Sequence, residues 1–354
     1  MEILVLNSNF DNYALIDSFE SLIWTDRYNG FGDFEIYAKA SLDLIDLYDP
    51  DNETYLVLKN TEHVMLIEDC EIKFDAEAGD HVTLTGRSLE SILNRRILWG
   101  PTVLSGNLQN AIGRMLDENV INPTDPNRTI DNFIMDYSTD PVITALNVEA
   151  QFTEKDYLYD VIVNLCKANN IGFKITLNEN KQFVFKLYAG VDRSYAQFKN
   201  PYVIFSKEFG NLMSSSLKTS KKDSKNYTIV YGEGKDPSIK KAYVGGKSFL
   251  ARKEILTDAS SISQTVNNIA MSDADYANQL IQKGIQTLNS HRITNNFAGT
   301  IDHINSFKYG VDFLMGDIVQ IDSDYGIQNG ARISEMITSQ TEKGLDIYPT
   351  FQMN

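Results

Sequence analysis

The sequence carries little that would arm an active site. Its 354 residues hold four histidines, His63, His81, His291 and His303, and two cysteines, Cys70 and Cys166. No two histidines have the H-E-x-x-H or H-x-x-x-H spacing that turns two imidazoles toward one zinc. Two cysteines make neither a disulfide framework nor a zinc site. Cys166 falls on the apolar face of a predicted helix and reads as a buried thiol, and the histidines read as structural. Runs of 18 apolar residues are also missing, so no helix is expected to span a membrane. Residues 1–7 lack the basic start and apolar core of a signal peptide and read as a first strand. Positive charge is scarce: 32 Lys and Arg against 48 Asp and Glu leave a net charge of −16. That balance argues against a nucleic-acid-binding surface, because phosphate contacts rest on Lys and Arg.

Several motifs start and then fail. Gly245-Gly246-Lys247-Ser248 has the end of a phosphate-binding loop, but Lys241 stands where its first glycine is required, and residues 249–252 read as extended where a helix must follow. A hairpin turn is the better reading. Asp49, Asp51 and Glu53 open like a calcium loop, but its sixth and twelfth positions are Thr54 and Asn60, not Gly and Glu. Asp322-Ser323-Asp324 is shorter still. Both read as solvated turns. Carboxylates are so frequent that choosing two as a glycosidase pair is arbitrary. The 36 Phe and Tyr residues read as core before they read as a sugar platform. No cofactor and no enzymatic activity are expected.

Strand and helix patterns are plentiful. A chain this long calls for two or three domains. Residues 1–98 read as β-rich. Residues 19–28 and 34–37 flank Asn29-Gly30-Phe31-Gly32-Asp33 as a hairpin, and 64–74 and 81–86 flank Ala78-Gly79-Asp80 as a second. A short helix fits 41–48, stopped by Pro50, and Ser88 is expected to cap another through Arg96. From about 100 the period shifts to 3.6. Leu108, Ala111, Ile112, Met115 and Leu116 form one stripe; Leu158, Val161, Ile162, Leu165 and Cys166 form another, opened by Thr153 and Asp156 as a capping box. Residues 171–177 and 182–187 make a hairpin. Strands return at 206–250, Ser272 and Asp275 start a helix to about Ser290, and strands resume near 296. Its stripe of Tyr276, Leu280, Ile281, Ile285 and Leu288 is expected to pack on the middle domain. At the C-terminal end, 307–319 read as a Gly-bounded turn around Gly310 and Asp312, a tight Leu-Met-Gly-Asp corner and a strand, and 331–337 and 345–351 as further strands, the Gly-punctuated pattern of a small antiparallel barrel.

Charge is uneven. Residues 1–100 hold 20 Asp and Glu against 7 Lys and Arg, a net of −13, whereas residues 211–260 hold 5 against 10, a net of +5. Two readings stay open: two solvated surfaces, or complementary faces in which Lys218, Lys221, Lys222, Lys225, Lys240 and Lys241 are the basic interface candidates.

Three motifs carry a resemblance. They are the run from Glu20 through Trp24 and Arg27 to Tyr37, the run Gly86-Arg87-Ser88-Leu89-Glu90-Ser91-Ile92-Leu93-Asn94-Arg95-Arg96, and the run containing Gly310, Asp312, Gly316 and Asp317. Together they resemble the tail-tip and baseplate hub proteins of siphophages and prophages of Gram-positive bacteria. The resemblance implies a homotrimeric, pseudo-sixfold ring closing the tail tube at the virion tip, with two similar β-barrels per chain. It also implies docking to a distal tail ring, a tape-measure protein and receptor-binding or fibre proteins, without specific nucleic-acid binding. The expected fold is therefore a β-rich multidomain α+β protein with two small antiparallel β-barrels and an α+β middle domain. Its parts are 1–98; 99–205 with 252–294; and 206–251 with 295–354. The alternative function is a receptor- or glycan-binding module. Arg87, Arg95 and Arg96 read as interface clamps onto carboxylates, or, for Arg95 and Arg96, as complements to a helix C-terminus. Gly316 and Asp317 read as turn formers, and Trp24 and Trp99 as core.

Overall fold

The computed structural model describes all residues except 60, 78, 101, 153–155, 235–237, 267–268, 303–305, 324–326 and 354. The expected capping residue Thr153, as well as His303, lies outside the described residues.

Alternation builds the N-terminal strands. In Asp33–Lys39, Phe34, Ile36 and Ala38 are buried while Glu35 and Lys39 face solvent, as a half-buried strand requires. Ser21–Arg27 pairs antiparallel with Asp33–Lys39, and Val64–Lys73 with His81–Ser88, as the two expected hairpins. Ile3–Leu6 pairs with Asn12–Ile16 and Tyr55–Leu58.

The two β regions are joined in one sheet. Ser21–Arg27 also pairs with the long strand Ile327–Thr341, in a register running from Glu335 opposite Arg27 to Thr341 opposite Ser21. One sheet of thirteen strands results. Its path runs Leu212–Ser220, Thr294–Ile301, Gly344–Met353, Ile327–Thr341, Ser21–Arg27, Asp33–Lys39, His81–Ser88, Val64–Lys73, Tyr55–Leu58, Ile3–Leu6, Asn12–Ile16. Ile318–Ser323 pairs antiparallel with Ile327–Thr341 and parallel with Ile204–Ser206. Among the described residues this path ends at Leu212–Ser220 and Asn12–Ile16 and does not close on itself. Of the two small antiparallel barrels expected, neither is found as a closed barrel among the described residues. Alternation marks a strand but carries no information about which strand lies beside it.

The middle region is α+β. The stripe of helix Leu108–Leu116 and that of helix Leu158–Ala168 are both wholly buried. They share one core with strands Gly172–Leu177 and Phe183–Tyr188, and with Tyr55, Val64 and Leu66 from the N-terminal sheet. Phe133–Asp136 adds parallel to Phe183–Tyr188.

The helix Asp273–Ser290 starts where expected: Ser272 Oγ accepts from Asp275 N at 3.1 Å and donates to Asp275 Oδ2 at 2.6 Å. Its partner differs from expectation. Tyr276 and Leu280 pack with Val230, Ala242, Ala259 and Ile262. Val230 and Ala242 belong to a separate three-stranded sheet, Lys241–Gly245, Tyr227–Tyr231 and Glu254–Asp258, and Ala259 and Ile262 follow its last strand. Residues 227–245, expected in the second barrel, thus join the helix in a small unit of their own. It touches the middle region where Gln151 Nε2 donates to Gln279 Oε1 at 2.6 Å. Ile281 and Ile285 are exposed, so the buried stripe is narrower than the sequence suggested. No helix among the described residues is long and apolar enough to cross a membrane.

Candidate functional site

The N-terminal hairpin, the middle region and the C-terminal strands meet at Tyr28, which is 1% exposed. Its backbone N–H donates to Ser334 O at 3.0 Å, beside a bulge in Ile327–Thr341. Its hydroxyl donates to Asn170 O at 3.1 Å, and the Arg332 guanidinium lies 5.2 Å from its ring centroid. Tyr188 meets it edge-on at 5.3 Å. Glycines make this approach possible. A Cβ on Gly316 would lie 2.1 Å from the Tyr28 ring, and one on Gly172 2.5 Å from it. Gly316 also has φ +86°, in the left-handed region. Arg332 Nη1 donates to Gly316 O at 2.6 Å, locking the corner onto the strand. Burial pushes the phenols of Tyr28, Tyr188 and Tyr309 above the usual range, and those of Tyr28 and Tyr188 serve as neutral hydrogen-bonding groups.

Asp317 does more than form a turn. It is 1% exposed. Its Oδ1 accepts from Val191 N at 2.7 Å; its Oδ2 accepts from Arg193 Nε at 2.7 Å and from Leu314 N at 3.0 Å. One carboxylate therefore ties segment 191–193 to the C-terminal strands. Gly310 and Asp312 have the local role expected of them. Gly310 has φ +84° with open space around it, and Asp312 Oδ2 accepts from Lys308 N at 2.7 Å.

The N-terminal motif residues are also internal ties. Trp24 is core, 1% exposed and packed near Phe34, though its indole N–H has no hydrogen-bond partner among the described residues. Arg27 clamps Asp33 at 2.5 Å and Glu335 at 2.7 Å, joining the hairpin to the C-terminal strand. Arg87 holds Glu68 with two bonds of 2.6 Å and lies 5.0 Å from the Phe31 ring centroid. A Cβ on Gly86 would meet Leu66 O at 1.8 Å, across the ladder from the bulge in Val64–Lys73. Around Arg87 a cleft of about 670 Å³ opens, lined by Ile23, Phe31, Asp33, Phe34, Glu35, Glu68, Asp69, Thr85 and Gly86.

Elsewhere the expectations divide. Ser88 does not cap its 3₁₀ helix, Leu89–Arg95. Its hydroxyl accepts from Gly32 N and donates to the buried Glu90 instead. Arg95 pairs with the exposed Glu53 at 2.6 Å, and Arg96 donates to Arg128 O at 2.8 Å. Trp99, expected in the core, is 57% exposed, with Arg128 stacked 4.3 Å from its ring centroid. It lies in the short link between Leu89–Arg95 and the strand Thr102–Asn107. The six lysines occupy several elements. Lys218 is on the strand Leu212–Ser220, while Lys221, Lys222 and Lys225 lie in the connection to Tyr227–Tyr231. Among the described residues two have side-chain partners: Lys240 pairs with Asp273 at 3.1 Å, and Lys241 lies 4.8 Å from the Tyr231 ring centroid.

The sequence reading missed Tyr28 as the meeting point, and with it Arg193, Arg332 and Glu335. Tyr28 lies in a quoted motif, yet its partners come from 140 or more positions away, beyond the reach of local pattern. Chemically, the junction's carboxylates are already paired with Arg27 and Arg193, and Arg332 is held by Gly316 O. Among the described residues no group of three or more His, Cys, Asp or Glu is placed to hold a metal ion. Cys166 is buried, and burial pushes its thiol well above the usual range. This geometry is suited to fastening segments together.

Comparison with known structures gives the same architecture. A tail protein from Neisseria meningitidis MC58 superposes with a TM-score of 0.60 at 9% identity, covering 99% of this chain and 96% of that one. The 43 kDa tail protein of prophage MuSo2 from Shewanella oneidensis gives 0.59 at 11% identity, covering 99% and 98%. Prophage tail protein gp18 from Listeria monocytogenes EGD-e gives 0.53 at 14%, covering 100% and 95%. At such identities the likeness establishes the fold. No curated protein matches the sequence. The Siphovirus ReqiPepy6 Gp37-like protein family matches residues 2–351, so the chain belongs to that family.

Proposed function

We propose that this chain is a structural hub of a phage tail tip. Three copies close a pseudo-sixfold ring at the end of the tail tube, in the virion. The ring docks a distal tail ring on one side and serves tape-measure, receptor-binding or fibre proteins on the other. Its work is assembly and opening of the tube, without catalysis. The observation that carries the reading is the family match over residues 2–351, and the fold shared with three tail proteins supports it.

Two physical features are in keeping with it. The thirteen-stranded sheet ends in Leu212–Ser220 and Asn12–Ile16, each with one edge unpaired among the described residues. Such edges are templates for contact with another chain. The first region is strongly acidic and residues 211–260 are basic, with nets of −13 and +5. Head-to-tail contacts between unlike faces close into rings when the rotation permits. Opposite charge favours that arrangement over like-on-like pairing. Electron microscopy of the purified protein tests the reading. Annular particles with threefold symmetry are expected; compact single-chain particles at every concentration would overturn it.

A further inference from the structure

One turn of this chain projects far into solvent. Phe249 and Leu250 are 98% and 99% exposed. Phe249 also has φ +54°, which a bulky side chain rarely adopts. Strain of that kind persists only where the surroundings impose it, and it clusters at functional sites such as ligand clamps and switch regions. The base of the turn is firmly held. Arg252 N donates to Phe249 O at 3.0 Å, Asn226 Nδ2 donates to Ala251 O at 2.8 Å, and the Arg252 guanidinium stacks 3.3 Å from the Tyr227 ring centroid. Lys247 is exposed just before the tip. The result is a rigid apolar tip with a basic flank.

The cleft beside Arg87 has the complementary character. Ile23, Glu35, Thr85 and Asp69 stand in register on four adjacent strands. Ile23 and Phe31 supply apolar surface, while Glu35 and Asp69 are exposed carboxylates. The cleft is open to solvent, with a volume of about 670 Å³. The tip is almost wholly exposed, so it does not fill this cleft in its own chain.

We propose that the Phe249–Leu250 tip of one copy seats in the Ile23–Phe31 cleft of the next copy, with Lys247 facing Glu35 and Asp69. The occupant is a second copy because the charges are complementary: the tip belongs to the basic stretch and the cleft to the acidic one. The contact is heterologous, so it propagates around a ring. It rests on the ring reading above and supplies that reading with a specific joint.

Cross-linking tests it directly. In a Cys70→Ser background, full-length proteins carrying Leu250→Cys or Glu35→Cys are made separately, mixed and oxidised. A reducible dimer containing one of each is expected, and neither protein alone should give one. Phe249→Ser with Leu250→Ser should raise the concentration at which the ring dissociates by about 100-fold, the equivalent of burying two apolar side chains. Lys247→Glu should weaken assembly, and Glu35→Lys should restore it. A ring-sized particle with no cross-link and no response to the serine variant would overturn the joint and leave the ring standing. A ring weakened by the serine variant without the cross-link would put the tip against another surface, overturning the cleft as its seat. A single-chain mass at every concentration would overturn both.

Discussion

Asp312 and Asp317 lie on one corner of the chain and show how differently two similar residues can act. Asp312 is exposed and accepts one local bond, from Lys308 N. Asp317 is buried, accepts from Val191 N and Leu314 N, and pairs with Arg193, itself largely buried. Removing one partner of a buried pair leaves the other charge uncompensated, at a cost of about 3–5 kcal/mol. Asp317→Asn is therefore expected to lower unfolding stability by about 3 kcal/mol, the lower figure because Arg193 keeps some contact with water. Asp312→Asn should change it by about 0.5 kcal/mol or less. Urea denaturation of the two variants side by side measures the contrast. The turn role of both residues was legible in the sequence, because turn chemistry is local. The tie from Asp317 to Arg193 spans 124 positions and leaves no local signal.

Glu90 offers a pH test at the same scale. It is buried, accepts from Ile175 N at 2.8 Å, and burial raises its pKa above the ordinary 4.5 despite its hydrogen bonds. The folded chain therefore holds this proton more tightly than the unfolded chain does. The stability it contributes is fully present below pH 4.5 and falls as pH rises through the folded value. Glu90→Gln keeps an acceptor for Ile175 N without the buried charge. The variant should gain on the wild type as pH is raised from 4.5 toward neutrality, followed by chemical denaturation at each pH. A difference that stays flat over that range would mean Glu90 is not held in a proton-binding site.

At the scale of elements, periodicity within one segment was readable and pairing between segments was not. The stripes of Leu108–Leu116 and Leu158–Ala168 are buried at every position named from sequence, since a helix states its buried face in its own residues. The start of Asp273–Ser290 was equally plain from Ser272 and Asp275. Its partner sheet was not, because Tyr227–Tyr231 takes its parallel neighbour Glu254–Asp258 from across a connection of more than twenty residues. The helix lies close on that sheet at Gly284, where a Cβ would come within 2.8 Å of Val230 and Val244 methyls. Gly284→Leu should overpack the interface and destabilise this unit by about 1–3 kcal/mol. Hydrogen exchange should then show protection lost over residues 227–258 and 273–290 while the thirteen-stranded sheet keeps its own. Equal loss across both would contradict the description of this unit as separately packed.

At the scale of the whole molecule, one sheet unites the two ends of the chain through the pairing of Ser21–Arg27 with Ile327–Thr341, clamped by Arg27 and Glu335. The β-rich character and the α+β middle region were legible from composition and period. The joining of the two β regions was not, since both flanks alternate and either would serve as a barrel strand. The charge asymmetry was legible as a count, and its meaning depends on what a second copy does. The central claim is that three chains form a ring, and the mass of the native protein in solution tests it most directly. Three chains of 40.0 kDa give about 120 kDa by light scattering at low ionic strength, where electrostatic contacts are least screened. A mass of 40.0 kDa that persists at high protein concentration under those conditions would contradict the account.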